Sequence, residues 1–330
     1  MSIKPRIAVC DDWEQAALTC ADWADLQQQA TVEIFTSPFA SREEAIRTLR
    51  DFDAICLMRE RTPFPKEVIS QLPNLKRLLF TGERNLSVDS EFAKSLGIQV
   101  SGTPGGPNKS STAEHTWAMI LATTRRVVTS MNGATAGYWR GGENGDPYPL
   151  PDTLEGDRLG IIGLGEIGRR VARIGHGLGM DVVAWSQNLT PEAAQSVGVR
   201  RVEKNELLAT SKVISLHLVL SDRTRGIIGP TELSLMRRDS VLVNTSRAPL
   251  IDEAALLPAL ESGRPAMAAL DVFSTEPFGK EHPFLNHPQI TVTPHLGFVS
   301  TPVYEMFYKT MVNDLTKWIA QTEKQAPATA

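Results

Sequence analysis

The sequence predicts an α/β fold in two domains, and three observations carry that expectation. Short apolar runs alternate with helix-patterned segments, the signature of βαβ units and parallel sheets. The alternation occurs twice, on either side of a stretch rich in Gly, Pro and Ser, SGTPGGPNKSSTAEH. A chain of 330 residues is also long for a single hydrophobic core.

In the first region the apolar runs 6–10, 31–36, 54–58, 76–80 and 98–101 predict strands, with helices over 13–29 and 41–51 between them. Ser111 followed three places later by Glu114 is a capping-box pattern, which predicts a long helix to about residue 126. Residues 137–156, full of Gly and Pro, read as an extended arm. From Arg158 the alternation resumes, with strands expected at 159–163, 181–185, 213–217, 241–245, 268–272 and 290–293. A last helix is expected over 302–319, with Tyr304, Phe307, Tyr308, Met311 and Leu315 on its apolar stripe. The final residues, QTEKQAPATA, read as a polar tail.

Composition excludes several classes of function. A net charge of −4 with no polybasic run argues against nucleic acid and against anionic membrane surfaces as partners. No apolar stretch reaches the roughly 18–20 residues of a membrane span. Cys10, Cys20 and Cys56 form no CxxC pair, and no zinc-ligand spacing occurs, so inert reduced thiols and no metal are expected. The N-terminus runs directly into a strand without an apolar signal segment, and the expected location is cytoplasmic.

Gly163, Gly165 and Gly168 stand in GxGxxG spacing within LGIIGLGEIGRRVARIGHGLGMDVVAW. The pattern alone is weak. Here an apolar strand precedes it and a helix pattern (Ile167, Val171, Ile174, Leu178) follows, which is the context of a dinucleotide-binding turn. The first glycine suits the tight turn, the second the approach of pyrophosphate, and the third close helix–strand packing. Free N–H groups at the helix start, near Glu166 and Ile167, would then meet the phosphates. The strand after that helix ends in Ser186 and Gln187, where a carboxylate would select NAD, so NAD and NADP both remain open.

Arg247, Glu276 and His295 each closely follow an expected strand. An arginine can clamp a carboxylate in two parallel hydrogen bonds. A histidine exchanges protons near neutral pH, and a carboxylate beside it orients the ring and favours its charged form. Together they describe a site for a small 2-oxo or 2-hydroxy acid.

The motifs TLEGDRLGIIGLGEIG, NTSRAPLIDE, AALDVFSTEP and TPHLG, in that order, resemble the D-isomer-specific 2-hydroxyacid dehydrogenases over nearly the whole chain. The resemblance implies a flavodoxin-like substrate domain, residues 1–108 and 297–330, around an inserted Rossmann domain, residues 109–296. It also implies a homodimer built on the cofactor domain. By motif, Arg247 would bind the substrate carboxylate and polarise the reacting oxygen, with His295 as acid/base and Glu276 as its partner. Asp271 would hold the nicotinamide carboxamide, while Thr245, Ser246, Leu218 and Val219 would line the dinucleotide. Gly82, Glu83 and Arg84 stand in the loop that offers N–H groups to the substrate, and Arg59 and Arg61 where the phosphoglycerate enzymes carry basic residues.

Some positions depart from the family pattern: Ala248 and Met267 replace usual glycines, Val219 a usual proline, and the loop Gly82–Asn85 reads GERN. Glyoxylate, hydroxypyruvate and 3-phosphoglycerate-type acids therefore stay open as substrates. The same fold also serves dinucleotide-binding corepressors and scaffolds. A formate dehydrogenase fits less well, since that branch pairs its histidine with glutamine rather than Glu276. Of the remaining histidines, His115, His176, His282 and His287 read as structural or solvated, and His217 as packing near the cofactor.

Overall fold

The computed structural model describes residues 4–105, 109–139 and 149–325, and the side chains of these through 322. The chain divides into two compact units: unit 1, residues 1–108 and 299–330, and unit 2, residues 109–298. The second boundary falls after residue 298 rather than 296. The N–H groups of Leu296 and Gly297 are bonded to Asp271, which ties this turn to the unit 2 sheet.

Unit 1 holds a five-stranded sheet of β1 (Arg6–Val9), β2 (Thr31–Ile34), β3 (Ala54–Leu57), β4 (Arg77–Phe80) and β5 (Gln99–Gly102). All pairings are parallel and the order is β2-β1-β3-β4-β5, the flavodoxin-like arrangement. Strands β3 and β4 are buried along their whole length, as expected where helices cover both faces. The helix expected over 13–29 is two short ones, Ala17–Cys20 and Ala24–Gln29. Asp12 accepts the N–H of Ala16 and Ala17, and Asp22 accepts that of Ala24, so the first helix ends and a second starts. Ser41 caps the helix Arg42–Leu49, its Oγ accepting from Glu44 N–H at 3.2 Å.

The last helix runs Thr301–Gln325, well beyond residue 319. Its apolar stripe continues into Trp318 and Ile319, both buried, and carries the start of the expected polar tail into the helix. Residues 326–330 lie outside the described part of the chain.

Unit 2 holds β6 (Arg158–Ile162), β7 (Asp181–Trp185), β8 (Arg200–Arg201), β9 (Val213–Leu216), β10 (Val241–Asn244), β11 (Met267–Leu270) and β12 (Ile290–Val292). The order is β12-β11-β10-β9-β6-β7-β8, again wholly parallel, a Rossmann sheet with one additional edge strand. Strand β8, a two-residue edge strand of two arginines, carries no apolar signal and was not expected from the sequence.

Alternation along each strand divides the core between the two faces. Leu159 and Ile161 pack with Val241, Val243 and Trp117, whereas Ile162 packs on the other face with Leu242, Ile214 and Leu256. The expected capping box does not form. The helix Ser110–Thr124 starts two residues earlier than a Ser111 cap requires, from Lys109 in left-handed conformation (φ +51°), and leaves Ser111 inside the first turn. It also stops before residue 126, because Arg126 is left-handed and opens a second helix, Val127–Thr135. Much of the arm expected at 137–156 lies outside the described residues.

Candidate active site

The glycine loop joins β6 to the helix Glu166–Gly177. Gly163 has φ +105°, and a Cβ there would lie 2.6 Å from the carbonyl oxygen of His217. A Cβ on Gly168 would lie 2.2 Å from the Gly163 carbonyl oxygen, so only glycine lets helix and strand approach this closely. A Cβ on Gly165, by contrast, would meet nothing within 4 Å. This is a cradle with open space over the middle glycine and a twelve-residue helix starting beyond it, which fits a dinucleotide pyrophosphate.

Around that cradle, Glu166 is exposed and pairs with Lys109 and Arg170, while Ile167 packs on the core. Ser186 is half-buried and Gln187 exposed at the end of β7, with no carboxylate at either position. After β9, Leu218 packs against the core and Val219 is largely exposed. His217 donates to or accepts from Ser215 Oγ at 2.9 Å, and its Nδ1 is enclosed without a hydrogen-bond partner. Burial pulls its pKa down to about 4, so this ring is neutral and structural.

The sheet order places β10, β11 and β12 side by side, so the loops that follow them emerge together at the carboxyl edge. The loop after β10 carries Thr245, Ser246 and Arg247. Thr245 Oγ1 lies 2.8 Å from Thr116 Oγ1 in the interior, and Ser246 Oγ donates to the Leu216 carbonyl at 2.8 Å. These two residues fix the loop to its neighbours. Asn244 completes the brace, its amide donating to the Arg247 carbonyl and its oxygen accepting from Ser246 N–H. The guanidinium of Arg247 donates to the Ser246 carbonyl at 2.7 Å.

The loop after β11 carries Glu276, and that after β12 carries His295. Glu276 Oε2 lies 2.6 Å from His295 Nδ1, and Glu276 Oε1 accepts from Phe273 N–H at 2.8 Å. One carboxylate oxygen is thus anchored to the backbone and the other is aimed at the ring. The His295 side chain is 25% exposed, and Phe298 stands edge-on to it at 5.6 Å. His295 has φ +56°, an unusual conformation for a non-glycine residue.

Asp271 holds that turn. Its side chain is fully buried, Oδ1 accepting from Thr293 Oγ1 (2.6 Å) and Leu296 N–H (2.8 Å), and Oδ2 from Gly297 N–H (2.8 Å). His115 Nε2 lies 3.1 Å from Asp271 Oδ1 and 3.0 Å from Thr293 Oγ1. The carboxylate expected to hold a nicotinamide carboxamide is thus enclosed and also holds the histidine turn. His115 and Thr293 belong to this network, although neither stood out in sequence. His115 sits in a helix and faces β11 and β12 only through the tertiary fold.

In unit 1, Gly82 donates its N–H to Thr103 Oγ1 at 2.9 Å, which braces the turn after β4. Glu83 and Arg84 are exposed. Arg59 has φ +53°; its N–H donates to Thr81 Oγ1 at 2.7 Å and its guanidinium to the Thr81 carbonyl at 3.3 Å. Asn85 donates to the Arg59 carbonyl, locking the loops after β3 and β4 together. The three cysteines are free and buried, and burial raises the thiol pKa of Cys10 and Cys56. Among the described residues no helix is long and apolar enough to cross a membrane.

A Rossmann sheet with an open glycine cradle, beside an arginine loop and a carboxylate-oriented histidine, defines a nicotinamide-dinucleotide-dependent oxidoreductase. Comparison with known proteins narrows the class. Residues 117–297 match the family described as D-isomer specific 2-hydroxyacid dehydrogenase, NAD binding domain. The chain is 38% identical to a glyoxylate reductase of Aeropyrum pernix, over 77% of this chain and 76% of the relative. It is 34% identical to a D-3-phosphoglycerate dehydrogenase of Archaeoglobus fulgidus over 83% of its own length, but spans only 50% of that relative. Among solved structures it is similar to a phosphoglycerate oxidoreductase from Vibrio cholerae, with TM-score 0.89 and 32% identity over 96% of this chain and 99% of the other. The chain belongs to the D-isomer-specific 2-hydroxyacid dehydrogenases, and its cofactor is NAD or NADP.

Proposed function

We propose that this chain reduces a small 2-oxo acid to the D-2-hydroxy acid, with Arg247, Glu276 and His295 as the reacting constellation. The observation that carries the reading is the 2.6 Å contact of Glu276 with His295 Nδ1, in a turn clamped by buried Asp271. With Nδ1 committed to Glu276, Nε2 is the atom that exchanges a proton with the substrate oxygen. The bound nicotinamide supplies the hydride. Arg247 clamps the carboxylate and stabilises the charge that develops on the oxygen, an effect of roughly a few kcal/mol. Asp271 acts through the turn that carries His295.

Gly163, Gly165 and Gly168, with the helix start at Glu166 and Ile167, cradle the dinucleotide. Ser186 and Gln187 flank its adenosine end, and Leu218 and Val219 line it. From unit 1 the reading draws Arg59 and the loop Gly82–Arg84 as substrate contacts. The reduced, buried thiols fit a cytoplasmic setting.

The same reading includes a homodimer through unit 2. Leu121, Val127, Val128, Met131 and Trp139 are exposed, Met131 at 63% and Trp139 at 89%, an apolar display that a partner copy would cover. Light scattering should give the mass of two chains, and Met131→Glu should shift it toward one.

The test of function is a steady-state screen of glyoxylate, hydroxypyruvate, a branched 2-oxo acid and 3-phosphohydroxypyruvate, each with NADH and NADPH. Turnover with at least one acid is expected. Tight dinucleotide binding with no turnover across the panel would favour a corepressor or scaffold instead.

A further inference from the structure

The left-handed backbone of His295 (φ +56°) is costly for a residue with a Cβ and persists only where its surroundings hold it. Asp271 supplies that hold, accepting the N–H groups of the next two residues, Leu296 and Gly297, at 2.8 Å each. Asp271 is held in turn by the helix Ser110–Thr124, through His115. All of these residues belong to unit 2.

Each hydrogen around Asp271 has a defined place. Oδ1 and Oδ2 each take a backbone N–H, so the carboxylate acts as an acceptor. The single hydroxyl hydrogen of Thr293 goes to Asp271 Oδ1 at 2.6 Å rather than to Met119 Sδ at 3.4 Å, which leaves Thr293 Oγ1 an acceptor toward His115. His115 Nε2 faces both oxygens, 3.1 Å from Asp271 Oδ1 and 3.0 Å from Thr293 Oγ1. Two acceptors converge on this nitrogen, so Nε2 carries a hydrogen and donates it between them. The Asp271 side chain is fully buried, and removing a donor from it leaves an acceptor that bulk water does not reach.

The helix that carries His115 is itself fixed. Ala113, Trp117, Met119 and Ile120 pack into the unit 2 core, and Trp117 Nε1 donates to the Val171 carbonyl at 3.0 Å. The His295 turn seats directly against this helix: a Cβ on Gly297 would lie 3.1 Å from Asp271 Oδ2, 3.5 Å from Thr112 Cγ2 and 3.8 Å from His115 Cδ2. The next residue of the helix, Thr116, bonds Thr245 in the loop that carries Arg247. Neighbouring residues of one packed helix therefore brace the loops of both Arg247 and His295.

We propose that His115 is a positioning residue for the oxidoreductase reaction: by donating from Nε2 to Asp271 and Thr293 it fixes the turn that aims His295 at Glu276, and so sets turnover rather than binding. This inference rests on the reading of His295 as the acid/base given above. Small misplacements of a reacting group cost far more in rate than in affinity, so a brace of this kind shows itself in kcat.

The test is steady-state kinetics of the full-length chain, with the acid that wild type turns over fastest, beside dinucleotide titrations and thermal melts that establish folding. His115→Met removes the donor and should lower kcat roughly tenfold, with KM and dinucleotide Kd changed by less than about threefold. His115→Gln, whose side-chain amide reaches the place of Nε2, should restore kcat to within about threefold of wild type. In an Asp271→Asn background His115→Met should cost less than about threefold, because the group it acts through is already altered. If His115→Met does not fold, His115→Asn, whose shorter amide does not reach the place of Nε2, takes its part with the same expectations. Wild-type kcat in the folded donor-less variant, a His115→Gln enzyme as slow as that variant, Kd rising in step with the loss of kcat, or an undiminished loss in the Asp271→Asn background each overturns the inference and leaves the reductase reading standing. No turnover by wild type with any acid of the wider screen overturns both.

Discussion

The order of parallel strands reverses once in each unit, and the two reversals are furnished in opposite ways. Between β6 and β9 of unit 2 the chain places glycines, one with φ +105° and one with open space where its Cβ would be. Between β1 and β3 of unit 1 it places Glu14, Arg61, Asp11 and Thr62, bonded to one another. One crevice admits a ligand and the other is closed by its own charges. Strand order alone therefore does not make a binding site; the residues just past the strands decide whether the crevice is left open.

Two buried aspartates sharpen the contrast. Asp271 follows β11 and takes hydrogen bonds from the turn that carries His295. Asp11 follows β1, is equally buried, and leaves Oδ2 without a hydrogen-bond partner. Burial pushes its pKa up to about 6, only partly opposed by Thr62 and Arg61. The first carboxylate is expected to serve catalysis through a backbone turn, and the second to cost stability.

The largest expected effect follows from Asp271→Asn. An amide cannot accept all the donors the carboxylate holds, so the His295 turn loosens and turnover should fall by roughly 100-fold, with dinucleotide affinity changing far less. Steady-state rates beside dinucleotide titrations would check this, and wild-type turnover would remove the turn from the mechanism.

Next is Asp11→Asn, which should stabilise the fold by about 2 kcal/mol at pH 8, part of the linkage a shift of this size carries. An unfolded chain releases this proton near pH 3.8 and the folded one near 6. The wild-type penalty therefore grows as pH rises through that window, and it is absent below the unfolded value. Urea melts of both proteins at pH 4 and pH 8 measure the difference, and equal stability at both values would contradict the unsatisfied state of Asp11.

The smallest effect concerns His217, whose linkage has the opposite sense. An unfolded chain protonates this ring near pH 6.5 and the folded one only near 4, so stability is lost as pH falls between them. At pH 5 the loss relative to pH 7.5 should be about 1 kcal/mol, reduced from the full linkage because part of the residue remains exposed. His217→Gln should flatten that limb, and an unaltered acid slope would show that other groups set it.

Much of this organisation was legible in the sequence because it rests on local pattern. Apolar runs bounded by turn residues marked the strands to within a residue or two, and GxGxxG in its strand–helix context marked the cradle. Glu276 and His295 stood out because their chemistry is unusual just after buried strands. What stayed hidden depends on which strands become neighbours. His115 joins Asp271 across 156 residues, and Arg61 meets Glu14 across 47, through sheet order that no local window contains. The capping box failed for a backbone reason, since left-handed Lys109 set the helix start before Ser111 was reached.

The most direct test of the account is the rate of NADH or NADPH oxidation by His295→Ala, using the acid that wild type turns over fastest, alongside the dinucleotide Kd of both proteins. Proton exchange through His295 Nε2 predicts a loss of turnover of about 100-fold or more with the Kd changed by less than about threefold. Turnover within a few-fold of wild type would contradict it.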